Sequence, residues 1–322
     1  MPSLSIIIPV YNVKNYVAAA IRSATEQTFR DLEIILVDDG SADGSGDVCD
    51  AYRAQDSRIR VIHKQNGGLS SARNVGIAAA TGEYVLLLDG DDRLHRGAAE
   101  RLLRVAEEYS PDFVQFRYVE VSGDGCPDAQ PETSAVTLAE TPRELFEKLY
   151  LLGGVGASGC TKLFRRELLL RIPFESIRHE DEMWCTRAFQ TPLKAAYIED
   201  VLYDYVMREE SIIHSRFSAV KLELFAVIRE RLAALKALDF PDLLGKEYGK
   251  LFSSVVSLYC EARMAKDTEA VRKIRLEFAE QKEAIGKFAV LSAKYKLLFA
   301  AMRRCFGTIR LYYIYHRLRH AR

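Results

Sequence analysis

The chain has 322 residues, 48% hydrophobic and 28% charged, with 45 Lys and Arg against 45 Asp and Glu. These values exclude a disordered or collagen-like chain and fit one large soluble domain, or one plus a smaller one. The neutral total hides an asymmetry: residues 1–283 carry a net charge of −9, while residues 284–322 hold nine basic side chains and no acidic one, a pattern that predicts an anionic partner for the tail. Cys49, Cys126, Cys160, Cys185, Cys260 and Cys305 form no C-x-x-C pair, so neither a zinc site nor a disulfide framework is expected, and reduced thiols in the cytosol fit. The apolar run at 4–10 is too short for a membrane span, lacks a basic leader and is broken by Pro9; neither a signal peptide nor a transmembrane helix is expected.

In chain order, residues 4–8 (LSIII) read as a β-branched strand stopped by Pro9, and the spacing of Tyr16, Val17, Ala20, Ile21 and Ala24 predicts a helix over 15–27. Residues 33–37 repeat the pattern and end in Asp38-Asp39-Gly40-Ser41, before a helix over about 44–54. A short strand at 60–62, the turn Asn66-Gly67-Gly68 and a helix over about 70–80 follow. The run at 84–88 is then a buried central strand, bounded by Gly82 and Gly90. Four strands alternating with three helices imply a mainly parallel α/β sheet. A helix over about 97–109 and a strand at 113–121 lead to an irregular stretch, 122–137, rich in Gly, Pro, Asp and Ser. Beyond it come a helix at 143–151, a glycine-rich segment at 153–156 expected to be a mobile loop, the run CTKLF at 160–164, a helix at 165–170 and a last strand at 201–206. After Ser218 the periodicity is helical, with breaks near 239–242 and 267.

The chemistry concentrates where YVLLL at 84–88 runs into Asp89, Asp91 and Asp92. In an open α/β sheet this is the rim at the carboxyl ends of the strands, where ligands bind. Three crowded carboxylates repel, and a hard divalent cation offsets the repulsion. A solvated acidic turn with a helix cap explains the same residues. A Rossmann-like sheet is expected, but NAD binding is not, because the loop after the first strand reads Pro9-Val10-Tyr11-Asn12 rather than G-x-G-x-x-G, and there is no Walker A loop. Arg178-His179-Glu180-Asp181-Glu182 precedes an apolar run, and acidic residues there also suit a helix N-terminus.

Six segments in order, SIIIPVYNV, EIILVDDGSADGS, NGGLSSARNVGI, GEYVLLLDGDD, CTKLF and HEDE, resemble the family-two inverting glycosyltransferases of GT-A fold that build bacterial surface polysaccharides. The resemblance spans about 4–215, including SIIHSRFS at 211–218. It implies a GT-A catalytic domain over 1–215, with 1–121 as the nucleotide-sugar half and 122–215 as the acceptor half, and a helical region over 216–322. It implies that Pro9 and Tyr11 lie at the nucleotide base, that Asp39 accepts the base N–H with Asp38 beside it, and that Gly68 and Arg73 approach the base or diphosphate. A plain turn, with Arg73 on a solvated helix face, is the bland alternative. Asp91 is implied as the direct ligand of Mn2+ or Mg2+, with Asp89 and Asp92 on ribose or metal-bound water. The family has Ser where this chain has Gly90. Asp181 is implied as the general base that deprotonates the acceptor hydroxyl, with Glu180 orienting the acceptor; His179 is a rim residue or a participant, and Trp184 core or a sugar platform.

The expected activity is metal-dependent transfer of a hexose, or an N-acetylhexosamine, from a UDP-sugar to a polysaccharide or lipid-linked acceptor. The rivals are a Mg2+-dependent phosphohydrolase, which would want D-x-D-G, and a silent nucleotide-sugar-binding homologue. In the tail, Tyr295, Leu298, Phe299, Met302, Phe306, Ile309 and Tyr313 share a helical stripe with Arg303, Arg304, Arg310 and Arg317 between them. This predicts an interfacial helix over 286–322 on an anionic membrane or, equally, a helix packed on the catalytic domain. A net acidic body argues against nucleic acid.

Overall fold

The computed structural model describes residues 3–122, 134–207, 217–304, 306 and 309. The chain divides into two compact units, Met1–Ser211 and Ile212–Arg322. In the first unit, β1 (Leu4–Val10), α1 (Lys14–Thr25), β2 (Leu32–Asp38), α2 (Ser45–Arg53), β3 (Ile59–His63), α3 (Leu69–Ala79) and β4 (Tyr84–Leu87) alternate as predicted. The two-residue β5 (Arg93–Leu94), α4 (Ala98–Tyr109) and β6 (Phe113–Val121) follow, then β7 (Thr137–Ala139), α5 (Pro142–Leu152), α6 (Gly154–Ala157), β8 (Lys162–Arg165), α7 (Arg166–Arg171), α8 (Glu180–Ala188) and β9 (Ala195–Val206).

The nine strands form one sheet in the order β3-β2-β1-β4-β8-β6-β9-β5, with β7 also paired to β9. Strands β3, β2, β1 and β4 run parallel, with Ile7 opposite both Ile35 and Leu87. Every residue of β1, β2 and β4 is buried, as continuous Ile, Leu and Val runs require when both faces of a sheet are covered. The chain winds outward from β1 through β2 to β3, then returns to place β4 on the other flank of β1. That reversal opens the crevice at the carboxyl ends of β1 and β4.

Strand β8 runs antiparallel to both β4 and β6, so the sheet is mixed at its centre. Three expectations are corrected. The glycine-rich segment at 153–156 contains the one-turn helix α6 rather than a mobile loop; α5, with a capping box on Thr141 and Glu144, runs directly into it. The last strand begins at Ala195, six residues earlier than periodicity suggested, because its first half is buried in the sheet and does not alternate. Within 122–137, Thr137 already belongs to β7; residues 123–133 lie outside the described residues.

In the second unit, a 3-10 turn (Ala219–Glu223) precedes α9 (Leu224–Ala237), α10 (Pro241–Met264), α11 (Thr268–Phe288) and α12 (Ala293–Arg304). Asp239 and Lys266 take left-handed backbone angles at the two breaks, and the Asp267 carboxylate caps α11 by accepting from Ala270 N. The apolar stripe of α12 turns into its own unit: Phe299 and Met302 are buried, and Phe299 meets Phe252 and Phe278 edge-on. Phe306 likewise packs on Tyr259 and Phe278. Within the described residues Phe299, Met302 and Phe306 of the stripe thus pack inside their own unit, while Lys294, Lys296, Leu297, Arg303 and Arg304 are among the residues that α12 exposes. Arg310, Tyr313 and Arg317 lie outside the described residues, as do 211–216. No described helix is long and apolar enough to cross a membrane.

Candidate active site

Two loops at the carboxyl ends of β1 and β2 are tied to each other. Asn12, in a left-handed conformation, accepts from Ala42 N and donates its own N–H to Ser41 Oγ. The Asp43 carboxylate accepts from Lys14 N, satisfying a donor at the start of α1 that no residue of α1 can reach. Between them Tyr11 stands half exposed, at 50%, while Pro9 is buried inside β1. The Tyr11 ring thus offers a free face.

Of the adjacent aspartates, Asp38 holds local structure: Oδ1 accepts from Ser41 N at 3.0 Å and Oδ2 pairs with His63 Nδ1 at 2.9 Å. Although burial pushes the other way, these bonds keep the Asp38 carboxyl below its ordinary range, and they raise the imidazole of His63. Asp39 accepts from Gly67 N at 3.0 Å and Gly68 N at 2.8 Å, and from the Lys64 ammonium. Gly68 has φ +84°, and Gly40, with φ +75°, lies so close to Asn66 that a Cβ would stand 2.9 Å from its N. The DDG and NGG segments are therefore one folded unit.

Helix α3 delivers Arg73. A Cβ on Gly76 would sit 2.4 Å from Ile7 Cγ2, so glycine lets α3 lie directly on β1. Arg73 falls three residues earlier, on the same helix face, over the end of the sheet. Its side chain is 2% exposed and gathers three carboxylates: Glu180 Oε1 at 3.0 Å, Asp181 Oδ1 at 2.7 Å and Asp89 Oδ1 at 3.1 Å. The guanidinium also lies 5.4 Å from the Phe174 ring centre. Arg73 is thus neither a solvated surface cation nor a cation presented to solvent for a diphosphate; it joins the end of β4 to the start of α8.

At the end of β4 the three aspartates separate. Asp92 turns inward, accepting from Tyr203 Oη at 2.7 Å and Val206 N at 2.8 Å, and burial together with Asp89 and Asp91 pushes its pKa up to about 8. With both oxygens engaged by β9, Asp92 anchors the turn rather than offering a ligand, contrary to the expectation for it. Asp89 and Asp91 are partly exposed. Gly90 packs against Pro9, and a Cβ on it would stand only 2.8 Å from Pro9 O. Among the described residues no three His, Cys, Asp or Glu side chains converge as a closed metal site. The donor set fits a hard cation held by one or two carboxylates plus phosphate oxygens, and the mutual repulsion that raises Asp92 is what such a cation would relieve.

Asp181, in the first turn of α8, accepts from Arg73 and, through Oδ2, from Gly159 N at 2.8 Å. Its side chain is 21% exposed. Glu180 is buried, and burial and the neighbouring Asp181 charge raise it to about 7 despite Arg73. Trp184 is core, packed on Phe113, Phe164 and Phe174, with Nε1 donating to Ile172 O. Sequence reasoning missed Tyr203, Phe174, Lys64 and Gly159. Of these, only Gly159 carried a sequence signal, since it adjoins the CTKLF segment; in the fold a Cβ there would stand 2.9 Å from Asp181 Oδ1.

Fold and rim chemistry together define a glycosyltransferase of GT-A type. The model of the family described as glycosyl transferase family 2 matches residues 5–172. Glycosyltransferase GlyG of Streptococcus pneumoniae serotype 4 (strain ATCC BAA-334 / TIGR4) is 32% identical over 228 residues, spanning 66% of this chain and 74% of GlyG. Among solved structures, S. aureus TarS 1-349 in complex with UDP-GlcNAc is similar with a TM-score of 0.62 at 20% identity, over 87% of this chain and 92% of that one. Mannosyltransferase PcManGT from Pyrobaculum calidifontis, in complex with GDP-Man and Mn2+, gives 0.52 at 18% identity, over 97% and 85%. At these identities the two structures speak to the fold. The chain belongs to glycosyl transferase family 2.

Proposed function

We propose that the protein is a metal-dependent inverting transferase that moves a hexose or N-acetylhexosamine from a UDP-sugar to a hydroxyl of a polysaccharide or lipid-linked oligosaccharide in cell-surface glycan synthesis. The observation that carries this reading is the single guanidinium of Arg73 shared by Asp89, at the donor end of β4, and Asp181, at the start of α8. It brings a carboxylate suited to the leaving diphosphate and a carboxylate suited to the attacking hydroxyl to one point. In this reading residues 1–121 form the donor half and 122–215 the acceptor half. Tyr11 stacks on the base through its exposed face. Asp39 accepts the base N–H in exchange for one of its loop contacts.

Asp91 and Asp89 would hold Mn2+ or Mg2+, which when bound supplies electrostatic stabilisation of the departing nucleoside diphosphate. Asp181 accepts the proton of the acceptor hydroxyl as its oxygen forms a bond to the anomeric carbon and the bond to the diphosphate breaks on the opposite face, inverting the configuration. Two of the lone-pair directions of Asp181 are taken by Arg73 and Gly159, leaving others for the hydroxyl. A UDP-linked donor is supported by the UDP-GlcNAc complex of TarS, and a divalent ion by the Mn2+ complex of PcManGT.

The test is release of nucleoside diphosphate from a panel of UDP-, GDP- and dTDP-sugars with Mn2+, with and without EDTA. EDTA-sensitive release from a UDP-sugar is expected, and release from none of them with no binding would end the reading. Asp181→Asn should lower turnover by about two to four orders of magnitude while leaving donor affinity within a factor of a few. Unchanged turnover would remove the base assignment.

A further inference from the structure

Lys162 is fully buried, at 0% exposure, in the middle of the sheet. Its ammonium donates to Gly156 O at 2.8 Å and Ser158 O at 2.7 Å, and among the described residues no carboxylate lies within ion-pair distance. Burying an ammonium among carbonyls is costly, and burial accordingly lowers its pKa. A neutral donor such as glutamine could serve the two carbonyls without that cost, so the charge itself calls for an explanation.

The explanation lies in the peptide it touches. Ser158 O belongs to the same peptide group as Gly159 N–H, and a trans peptide directs the two oppositely. One side therefore faces Lys162 Nζ and Thr161 Oγ1, which donates to Ser158 O at 3.0 Å; the other faces Asp181 Oδ2 at 2.8 Å. An ammonium at the carbonyl polarises the peptide and strengthens its N–H as a donor. We propose that Lys162 is a positioning residue for Asp181, acting through the Ser158–Gly159 peptide to aim a polarised N–H at Oδ2 and hold that carboxylate oriented. This rests on the assignment of Asp181 as base. Around Asp181 the titratable and charged groups are Arg73 from α3 with Asp89 beyond it, Glu180 and Glu182 on α8 and His179 at its cap, and Lys162 from β8 with Cys160 beside it. Arg73 fixes Oδ1, and the Lys162 peptide fixes Oδ2.

The test uses the full chain and the Gly159 amide resonance as a reporter of Asp181. Its pH titration should show an inflection that disappears in Asp181→Asn. In Lys162→Gln, which keeps hydrogen-bond donors but loses the charge, and in Lys162→Met, the inflection should move up by roughly half a pH unit or more. Thr161→Val, which removes a neutral donor from the same carbonyl but leaves the charge, should move the inflection by less than the Lys162 variants do. An inflection unmoved in folded Lys162 variants overturns the proposal. Should those variants fail to fold, the reciprocal measurement decides: in Asp181→Asn the Lys162 ammonium must titrate at lower pH, and an unmoved Lys162 resonance overturns the proposal equally. Nucleoside diphosphate release from UDP-GlcNAc separates the two levels: full turnover by Asp181→Asn refutes the base, whereas an inactive Asp181→Asn beside a Lys162→Gln enzyme of unaltered pH profile refutes only Lys162.

Discussion

Arg73 shows how one side chain can set the character of a site. Three carboxylates meet a guanidinium that is 2% exposed, and a planar fork can serve them where a point charge cannot. Removing one partner of a buried ionic cluster leaves the others uncompensated, at about 3–5 kcal/mol. Arg73→Met should lower unfolding free energy by that amount in a urea titration, with Arg73→Lys recovering only part. A loss below about 1 kcal/mol would show that the carboxylates relax independently. Burial in the same cluster gives Glu180 a pH signature. Its folded pKa, about 7, lies above the ordinary value of 4.5 because of burial and Asp181. Its contribution to stability is therefore complete below about pH 4.5 and is lost as pH rises through 7. Between those limits Glu180→Gln should flatten the fall of stability with pH; an unaltered slope would place the titration elsewhere.

At the scale of elements, the decisive contact is α3 on β1. Gly76 leaves no room for a methyl group above Ile7, so Gly76→Ala must push the helix outward or strain the strand, at about 1–3 kcal/mol. The displacement also lifts Arg73 from Asp89 and Asp181, so turnover should fall further than stability explains. Combining Gly76→Ala with Ile7→Ala should cost less than the sum of the two changes, measured by denaturant titration. Strict additivity would mean that the helix is not seated on Ile7. Element lengths follow the same logic: periodicity revealed α3 and β1 because each shows one face or none to water, but it missed β5, whose two residues carry no period, and placed only the second half of β9, because the buried first half does not alternate.

For the whole molecule, the basic C-terminal stretch bears on where the enzyme works. With Phe299 and Met302 packed inward, the exposed Lys294, Lys296, Arg303 and Arg304 can meet anionic headgroups only through charge. Co-sedimentation with vesicles of anionic lipid should accordingly disappear in high salt, each cation adding about 1 kcal/mol near such a surface. Binding that survives high salt would indicate insertion of an apolar segment instead, and equal recovery with neutral lipid would remove the membrane contact altogether.

The sequence by itself determined the alternation of β1 through β4, because buried parallel strands must be continuous apolar runs and their helices must be amphipathic. The order of its motifs also named the family, and placed the candidate chemistry at Asp39, Asp89, Asp91 and Asp181. Tertiary structure alone decided how those carboxylates are partnered. Asp92 and Asp91 are chemically alike in the sequence, yet Tyr203 and Val206, more than a hundred positions away, draw Asp92 inward and leave Asp91 at the rim. Arg73 and Lys162 carry the same charge, yet one meets three carboxylates and the other two carbonyls. A side chain's pKa, partner and exposure are set by groups that folding brings from distant segments, and no local pattern encodes that encounter.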